Sequence, residues 1–308
     1  MHIRGLKAKG ETPLKILLTN DDGIHAPGLW AAAQALSQVG EVCVVAPDRE
    51  QSGVGASLTL HAPVVARSLE IPALERLSAA ANEEAASPDD PQAEIRHRVT
   101  AFSVEGTPGD SCILGLEKLV GPVDLVVSGI NRGSNLGWDV MVSGTVGAAF
   151  QGYFRGYPTI AISVGSVQNP RFDGAASLLR LMAQKLAQET TENSAHPEPV
   201  EGRNPFLLNI NVPSLAPDQI TGVEITRPGG RSYGESVREE GTGHQKRYWI
   251  ARNRPVMADN GEGTDMNATK NNRISITPLH LNLSHQEMLP RVEALLEGVP
   301  EALLGKGG

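Results

Sequence analysis

Two adjacent carboxylates, Asp21 and Asp22, are the first residues of the chain whose types and spacing could do chemistry. They stand in TNDDGIHAPGL, after the apolar run KILLT and before a stretch of helical character. Neighbouring strand residues point to opposite faces, so both carboxylates can converge only if the chain turns here, which Gly23 permits. Two anions held close together repel unless a cation lies between them. The pair predicts either a cation site or, alternatively, a helix-capping aspartate beside a solvent-exposed one.

Two further oxygen donors favour the cation site. Ser52, in APDREQSGVGAS, offers a hydroxyl oxygen, and Asn131, in SGINRGSNLG, offers an amide oxygen. Carboxylate, hydroxyl and amide oxygens suit Mg²⁺, Mn²⁺ or Ca²⁺ rather than a zinc site of histidine and cysteine. An incomplete protein shell would leave positions for water and a phosphate oxygen. Each of the two residues, taken alone, is also compatible with an ordinary turn.

The glycine-rich segments SGINRGSNLG and VSGTVGAAFQG have the character of phosphate-binding loops. Ser143 and Thr145 stand where a helix is predicted to start, so free N–H groups and the helix dipole would face an anion there. Ordinary helix capping by either residue is the alternative. Neither segment matches GxGxxG or Walker A, which argues against a dinucleotide site or an ATP-hydrolysing motor. Asp110, in VEGTPGDS, is expected to organise a turn and a helix start.

The elements that must position these residues alternate along the chain. KILLTN, EVCVVAP, DLVVSGI and TIAISV have the composition of buried strands, and GLWAAAQALSQVG, SCILGLEKLV, TVGAAFQGYFRG and AASLLRLMAQKLAQET are apolar at helical spacing. This alternation predicts an α/β fold, a mostly parallel sheet with helices on both faces. Ligands of such sheets bind outside the carboxyl ends of the strands, and the polar candidates do follow strands.

The chain is expected to divide into a catalytic core, residues 14–222, and a smaller C-terminal appendage, residues 223–308. The appendage contains extended, hairpin-like segments and a final helix candidate, SHQEMLPRVEALLEG, which we interpret as an oligomerisation arm. Residues 79–98 and 192–204 resemble insertions. Their composition can bury little apolar area, so both are expected to be mobile surface loops.

Composition and charge restrict the partners. The 27 Lys and Arg against 35 Asp and Glu give a formal charge of −8, and aromatics make up only 4%, so no nucleic acid polymer is expected. Cys43 and Cys112 lie in apolar segments, which predicts two buried free thiols in a reducing compartment. No signal peptide and no run of roughly 20 apolar residues is visible, so we expect a cytoplasmic protein that does not enter a membrane.

Five motifs in order resemble the survival protein SurE family of 5′/3′-nucleotidases: ILLTNDDGIHAPGL, APDREQSGVGASLT, VEGTPGDS, DLVVSGINRGSNLG and VSGTVGAAFQG. The similarity runs from about Ile16 to Ser163 and resumes more weakly through NINVP, TRPGGRSY and GTDMNATKNNRISITPL. It implies a Rossmann-like core, hydrolysis of nucleoside monophosphates and in some members of short polyphosphate, and a homodimer or homotetramer. Gln51 departs from the family, which usually carries a basic residue there.

The resemblance also implies a set of site residues. One divalent cation per subunit, Mg²⁺ or Mn²⁺, would be held by Asp21, Asp22, Ser52 and Asn131. Phosphate contacts would fall on Asn135, Ser143, Gly144 and Thr145. Asp21 and Asp22 would also be the catalytic residues, with Asp22 orienting or deprotonating the attacking water. Two other hypotheses stay open at this point: a non-catalytic nucleotide-binding module, and a sugar-nucleotide transferase.

Overall fold

The computed structural model describes residues 13–69, 98–193, 205–231, 233–241, 246–255 and 261–305. The strands are β1 Leu14–Thr19, β2 Gly40–Pro47, β3 Val65–Ser68, β4 Val99–Glu105, β5 Leu125–Arg132, β6 Thr159–Val164, β7 Leu207–Val212, β8 Gly222–Ile225, β9 Tyr233–Glu240, β10 Arg247–Pro255 and β11 Arg273–Pro278. The α-helices are α1 Pro27–Leu36, α2 Pro108–Leu114, α3 Gly144–Phe154, α4 Asp173–Asn193, α5 Asp265–Lys270, α6 Leu289–Leu295 and α7 Val299–Leu304.

Nine of the described strands form one sheet. Its order in the described part of the chain is β3-β4-β2-β1-β5-β6-β7-β11-β8. The six strands from β4 to β7 run parallel to one another, whereas β3 and β11 pair antiparallel with β4 and β7. The predicted mostly parallel sheet is confirmed, and the carboxyl ends of β1, β2 and β5 meet along one edge.

Helices cover both faces of this sheet, as the alternation predicted. Successive residues of β1 point to opposite faces: Leu18 packs in the cluster that contains Leu29 of α1 and Leu179 of α4. Leu17 packs in the cluster that contains Cys112 of α2 and Ala148 of α3. Near-continuous burial along β1, β5 and β6 follows from this double cover.

The C-terminal region is shared between the sheet and an appendage. Strand β11 pairs with β7, with Ser275 opposite Asn211, so the sheet continues past the boundary that we expected at residue 222. It does so because Ile274 and Ile276 alternate along β11 and pack against the large core cluster. The predicted hairpin is formed by β9 and β10, which make a separate two-stranded sheet. Of the final helix candidate, Leu289–Leu295 forms α6 after a short 3₁₀ turn at Gln286–Met288, and the separate helix α7 follows it.

The structure also bears on the predicted insertions and on the two cysteines. The proposed insertions 79–98 and 192–204 lie outside the described residues except at their ends. Cys112 is a buried free thiol, as expected, but Cys43 is only half-buried because it lies near the start of β2, on the same side as the exposed Glu41. No helix in the described ranges is both long and apolar enough to cross a bilayer.

Candidate active site

The turn after β1 is built by an asparagine and a glycine. The side chain of Asn20 accepts from the N–H of Gly23 at 3.2 Å and donates to its carbonyl at 3.0 Å. Gly23 has φ +94°, and a Cβ there would lie 2.9 Å from the carbonyl carbon of Arg49, so only glycine fits. The predicted turn is present, and it brings Asp21 and Asp22 together at the end of β1.

Asp21 lies against the first turn of α3. Its side chain is almost fully buried, and Oδ1 accepts a 2.5 Å hydrogen bond from the hydroxyl of Thr145. Gly144 packs so closely that a Cβ on it would lie 2.8 Å from the Asp21 Cβ. The loop after β2 is joined to the same residue, because the N–H of Gln51 donates to the Asp21 carbonyl at 2.7 Å. Segments far apart in sequence therefore converge on one residue, Asp21.

Asp22 faces the end of β5. Its Oδ2 accepts from the backbone N–H of Arg132 at 3.1 Å, and its Oδ1 lies 3.4 Å from the Arg132 Nε. The Asp22 side chain is only 3% exposed, whereas that of Arg132 is 37% exposed. The guanidinium also lies 3.6 Å from Glu50. Arg132 thus lies on the solvent side of the Asp22 carboxylate.

Both carboxyl groups hold protons more tightly than usual. Burial, together with the charge of Asp22, raises the pKa of Asp21 from 3.8 to about 6, against the hydrogen bond from Thr145, which lowers it. Burial also raises the pKa of Asp22, although its contacts with Arg132 oppose that rise. The positive charge near the two carboxyl groups is therefore too small to offset the effect of burial on their pKa values. A bound cation would lower both pKa values.

The two other predicted ligands lie next to residues that contact the pair. Ser52 follows Gln51, is exposed, and donates its hydroxyl proton to Glu50 at 2.8 Å, which leaves the oxygen lone pairs free for a cation. Asn131 precedes Arg132 and is buried. Its Nδ2 donates to the carbonyl of Gly133 at 2.6 Å, so Oδ1 is the atom left for a cation.

These donors fit a hard divalent cation. In the ranges that the structure describes, no group of three or more His, Cys, Asp and Glu side chains is arranged to hold a metal. A metal site here would have to combine the aspartate pair with hydroxyl and amide oxygens, which is the donor set that Mg²⁺ and Mn²⁺ accept. The burial of Asp21 also fits a cation, because its side-chain partner, the hydroxyl of Thr145, carries no positive charge.

The predicted phosphate loop forms the start of α3. Ser143 is its N-cap, and the hydroxyl accepts from the N–H of Val146 at 3.1 Å. The capping alternative is therefore confirmed for Ser143, and because the cap occupies the N–H of Val146, a phosphate here would have to use N–H groups that precede Val146. Loop 52–55 is held against this helix, since the N–H of Gly55 donates to the Val142 carbonyl and Gly147 leaves room for the Gly55 carbonyl.

Asn135 is part of a buried asparagine network. Its Nδ2 donates to Ser163 at 2.9 Å, and its N–H donates to the side chain of Asn211 at 2.8 Å. Its carbonyl accepts from the side chains of Asn209 and Asn211. These bonds connect the loop after β5 to β6 and β7. Contact between Asn135 and phosphate remains a prediction.

Sequence reasoning missed two residues at this site. One is Arg132, which was visible within SGINRGSNLG. The other is Asp265, whose buried carboxylate accepts from the N–H groups of Gly137 and Gly229, each at 2.8 Å. It thereby ties the turn Gly137–Met141, which leads into Ser143, to the C-terminal region. The sequence signal that could have identified Asp265 was its position in GTDMNATK, one of the segments with weaker resemblance to the family.

A mostly parallel sheet with helices on both faces, and with carboxylates at its carboxyl edge near a helix N-terminus, defines a class: α/β proteins of Rossmann-like topology. The family model "Survival protein SurE" matches residues 16–235. The chain belongs to the survival protein SurE family.

Individual relatives cover nearly the whole chain. A protein named 5′-nucleotidase SurE from Dehalococcoides mccartyi strain CBDB1 is 39% identical over 292 residues, 93% of this chain and 96% of the relative. One of the same name from Geobacter sulfurreducens is 42% identical over 278 residues, 90% and 91% of the two chains. The crystal structure of the SurE protein from Aquifex aeolicus is 34% identical, with a TM-score of 0.67, and covers 91% of this chain and 99% of that one.

Proposed function

We propose that the chain is a phosphoric monoester hydrolase that releases phosphate from nucleoside 5′-monophosphates, and also from 3′-monophosphates and short polyphosphate. The observation that carries the proposal is the buried Asp21, which is bonded to Thr145 in the first turn of α3. In this arrangement the carboxylate that we assign to the cation lies against the helix N-terminus that we assign to the phosphate. The printed names of the relatives, 5′-nucleotidase SurE, support the enzyme class.

We infer that activity requires one divalent cation per subunit, Mg²⁺ or Mn²⁺. Asp21, Asp22, Ser52 and Asn131 would hold it. When bound, such a cation neutralises charge on the phosphoryl oxygens and lowers the pKa of a coordinated water. The aspartate pair supplies two negative charges, and the serine and asparagine supply neutral donors that leave room for substrate and water.

The remaining chemistry belongs to the side chains and the backbone of the chain. Asp22 orients the attacking water and accepts its proton, because its carboxylate borders the site beside Arg132. The N–H groups at Ser143, Gly144 and Thr145 stabilise the charge that develops on the phosphoryl oxygens. Asn135 supplies a further phosphate contact. Water is the acceptor, so the products are nucleoside and inorganic phosphate.

Phosphate release from a panel of 5′- and 3′-nucleoside monophosphates and tripolyphosphate, with Mg²⁺, Mn²⁺ or EDTA, tests this function. We expect release with either metal and none with EDTA. Saturable nucleotide binding without release would replace the proposal with the binding-module hypothesis. Release of nucleoside diphosphate from a sugar nucleotide only when an acceptor is present would favour the transferase.

We further propose a homodimer or homotetramer in the cytoplasm. Tyr248, Trp249 and Ile250 on β10 are 58%, 51% and 80% exposed, which is unusual for consecutive large side chains and fits burial in an interface. The free thiols Cys43 and Cys112 fit a reducing compartment. Light scattering coupled to gel filtration would give the mass of the particle, and a monomer would contradict the assembly.

A further inference from the structure

We propose that Arg132 is a substrate-binding residue that pairs with the phosphate group of the substrate. This inference rests on the proposed function. It starts from the position of the residue: its N–H bonds to Asp22 Oδ2 at 3.1 Å, which anchors the backbone at the rim of the site. The side chain extends from that anchor towards solvent and is 37% exposed.

The guanidinium is only loosely engaged by its present partners. Its Nε lies 3.4 Å from Asp22, and its Nη2 lies 3.6 Å from Glu50, and both separations exceed those of a strong charged hydrogen bond. A guanidinium carries five N–H donors in a planar fork that matches the oxygens of a phosphate. Most of these donors are therefore available to a ligand.

The charge balance of the site supplies the reason for such a ligand. Asp21, Asp22 and Glu50 carry three negative charges, and Arg132 carries one positive charge. A divalent cation would bring the sum to zero with Arg132 and to minus one without it. Because a phosphomonoester is a dianion at neutral pH, the site without Arg132 would repel its substrate.

Arg132 also supplies what the start of α3 lacks. The contacts there are made by hydroxyl and N–H groups, which carry no full charge. Among the described residues, Asp22 pairs with Arg132 and with no other cation, and Asp21 makes no ion pair. Glu50 is 57% exposed and can move aside, so exchanging carboxylate partners for phosphate needs only side-chain rotation.

The test compares Arg132→Gln and Arg132→Lys with a matched control, Arg155→Gln. Arg155 also pairs with a glutamate, Glu117, at 2.9 Å, but at the opposite end of α3. We expect Arg132→Gln to raise the KM for the monophosphate and the Kd for inorganic phosphate together, by about 10- to 100-fold. The kcat should change by less than about threefold. Arg132→Lys should restore part of the affinity, and Arg155→Gln should behave as the native chain.

Calorimetric measurement of phosphate affinity in the presence of Mn²⁺ tests, independently of turnover, whether Arg132 binds the phosphate group. A native chain that binds phosphate but hydrolyses nothing would contradict the proposed function alone, and the Arg132→Gln titration would still report on this residue. An unchanged phosphate Kd in Arg132→Gln would overturn the inference. So would a fall in kcat with KM unchanged, because that pattern would show an arginine acting on Asp22 rather than on substrate.

Discussion

Asp21→Asn is expected to abolish metal-dependent phosphate release, with kcat/KM lowered by about a thousandfold or more. The substitution removes one of the two negative charges of the aspartate pair, and an amide offers one oxygen where the carboxylate offers two. Thr145 already donates a hydrogen bond to Oδ1 at 2.5 Å. The other side-chain atom of the asparagine would therefore present to the cation either an NH₂ group or an uncharged amide oxygen, which is a weaker metal ligand than a carboxylate. Steady-state assays across Mg²⁺ and Mn²⁺ concentrations measure both the activity and the apparent metal affinity.

The same variant is expected to be more stable than the native chain when no metal is present. Burial raises the pKa of Asp21 to about 6 from 3.8. Since the folded state holds this proton more tightly, the associated stability is complete below pH 3.8 and is lost as pH rises through about 6. In EDTA the asparagine variant should match the native chain near pH 4 and exceed its free energy of unfolding at pH 7 by up to about 3 kcal/mol.

Denaturant unfolding of both chains at several pH values checks this. The result also serves as the control for the activity loss, because an inactive variant that is at least as stable as the native chain has not lost activity by unfolding. A variant that was less stable at every pH would show that Asp21 is needed for the fold, and the loss of activity would no longer identify a metal ligand.

Gly144→Ala is expected to lower kcat/KM by about a hundredfold while the chain still folds, because a small displacement of a catalytic group has an effect of that size. The new Cβ would lie 2.8 Å from the Asp21 Cβ and 2.9 Å from its Oδ2, closer than real Cβ atoms approach. Asp21 has little room to retreat, because its carbonyl accepts from Gln51 and its carboxylate accepts from Thr145. Overpacking of this kind costs about 1–3 kcal/mol and would displace the carboxylate. Activity and Mn²⁺ affinity should fall together.

Gly174→Ala is the matched control for that substitution. It also replaces a glycine near the start of a helix, α4, but its Cβ would meet only the side-chain ends of Ile220 and Val212, at 3.3 and 3.5 Å. We expect its activity to stay within about twofold of the native chain, with equal or higher stability from the better helix propensity of alanine. Full activity in Gly144→Ala would show that a Cβ at residue 144 does not displace the Asp21 carboxylate, and it would contradict the proposed arrangement.

Much of the site was predictable from local patterns. Asp21 and Asp22 follow an apolar run, and Ser143 and Thr145 precede a helical one, so the rule that ligands bind at the carboxyl edge of a parallel sheet was enough to group them. Asp110 was expected to organise a helix start, and it does so through a capping box with Thr107 that also holds Thr59. The strand end and the helix starts were predictable because each depends on residues a few positions apart, whereas the roles of these residues in metal and phosphate binding stay predictions.

The sequence by itself determined the alternation of strands and helices, the polar ends of the strands and the turn at Gly23, because periodicity, capping and backbone preference are local properties. Only the tertiary structure decided that β11 would join the core sheet beside β7, that Asp265 would bond to Gly137 across 128 positions, and that Arg132 would cover Asp22 across 110. The local sequence indicates that a polar group will need a hydrogen-bond partner. Which distant partner it finds depends on how the helices and strands pack, because that packing sets the burial and the distance of every candidate.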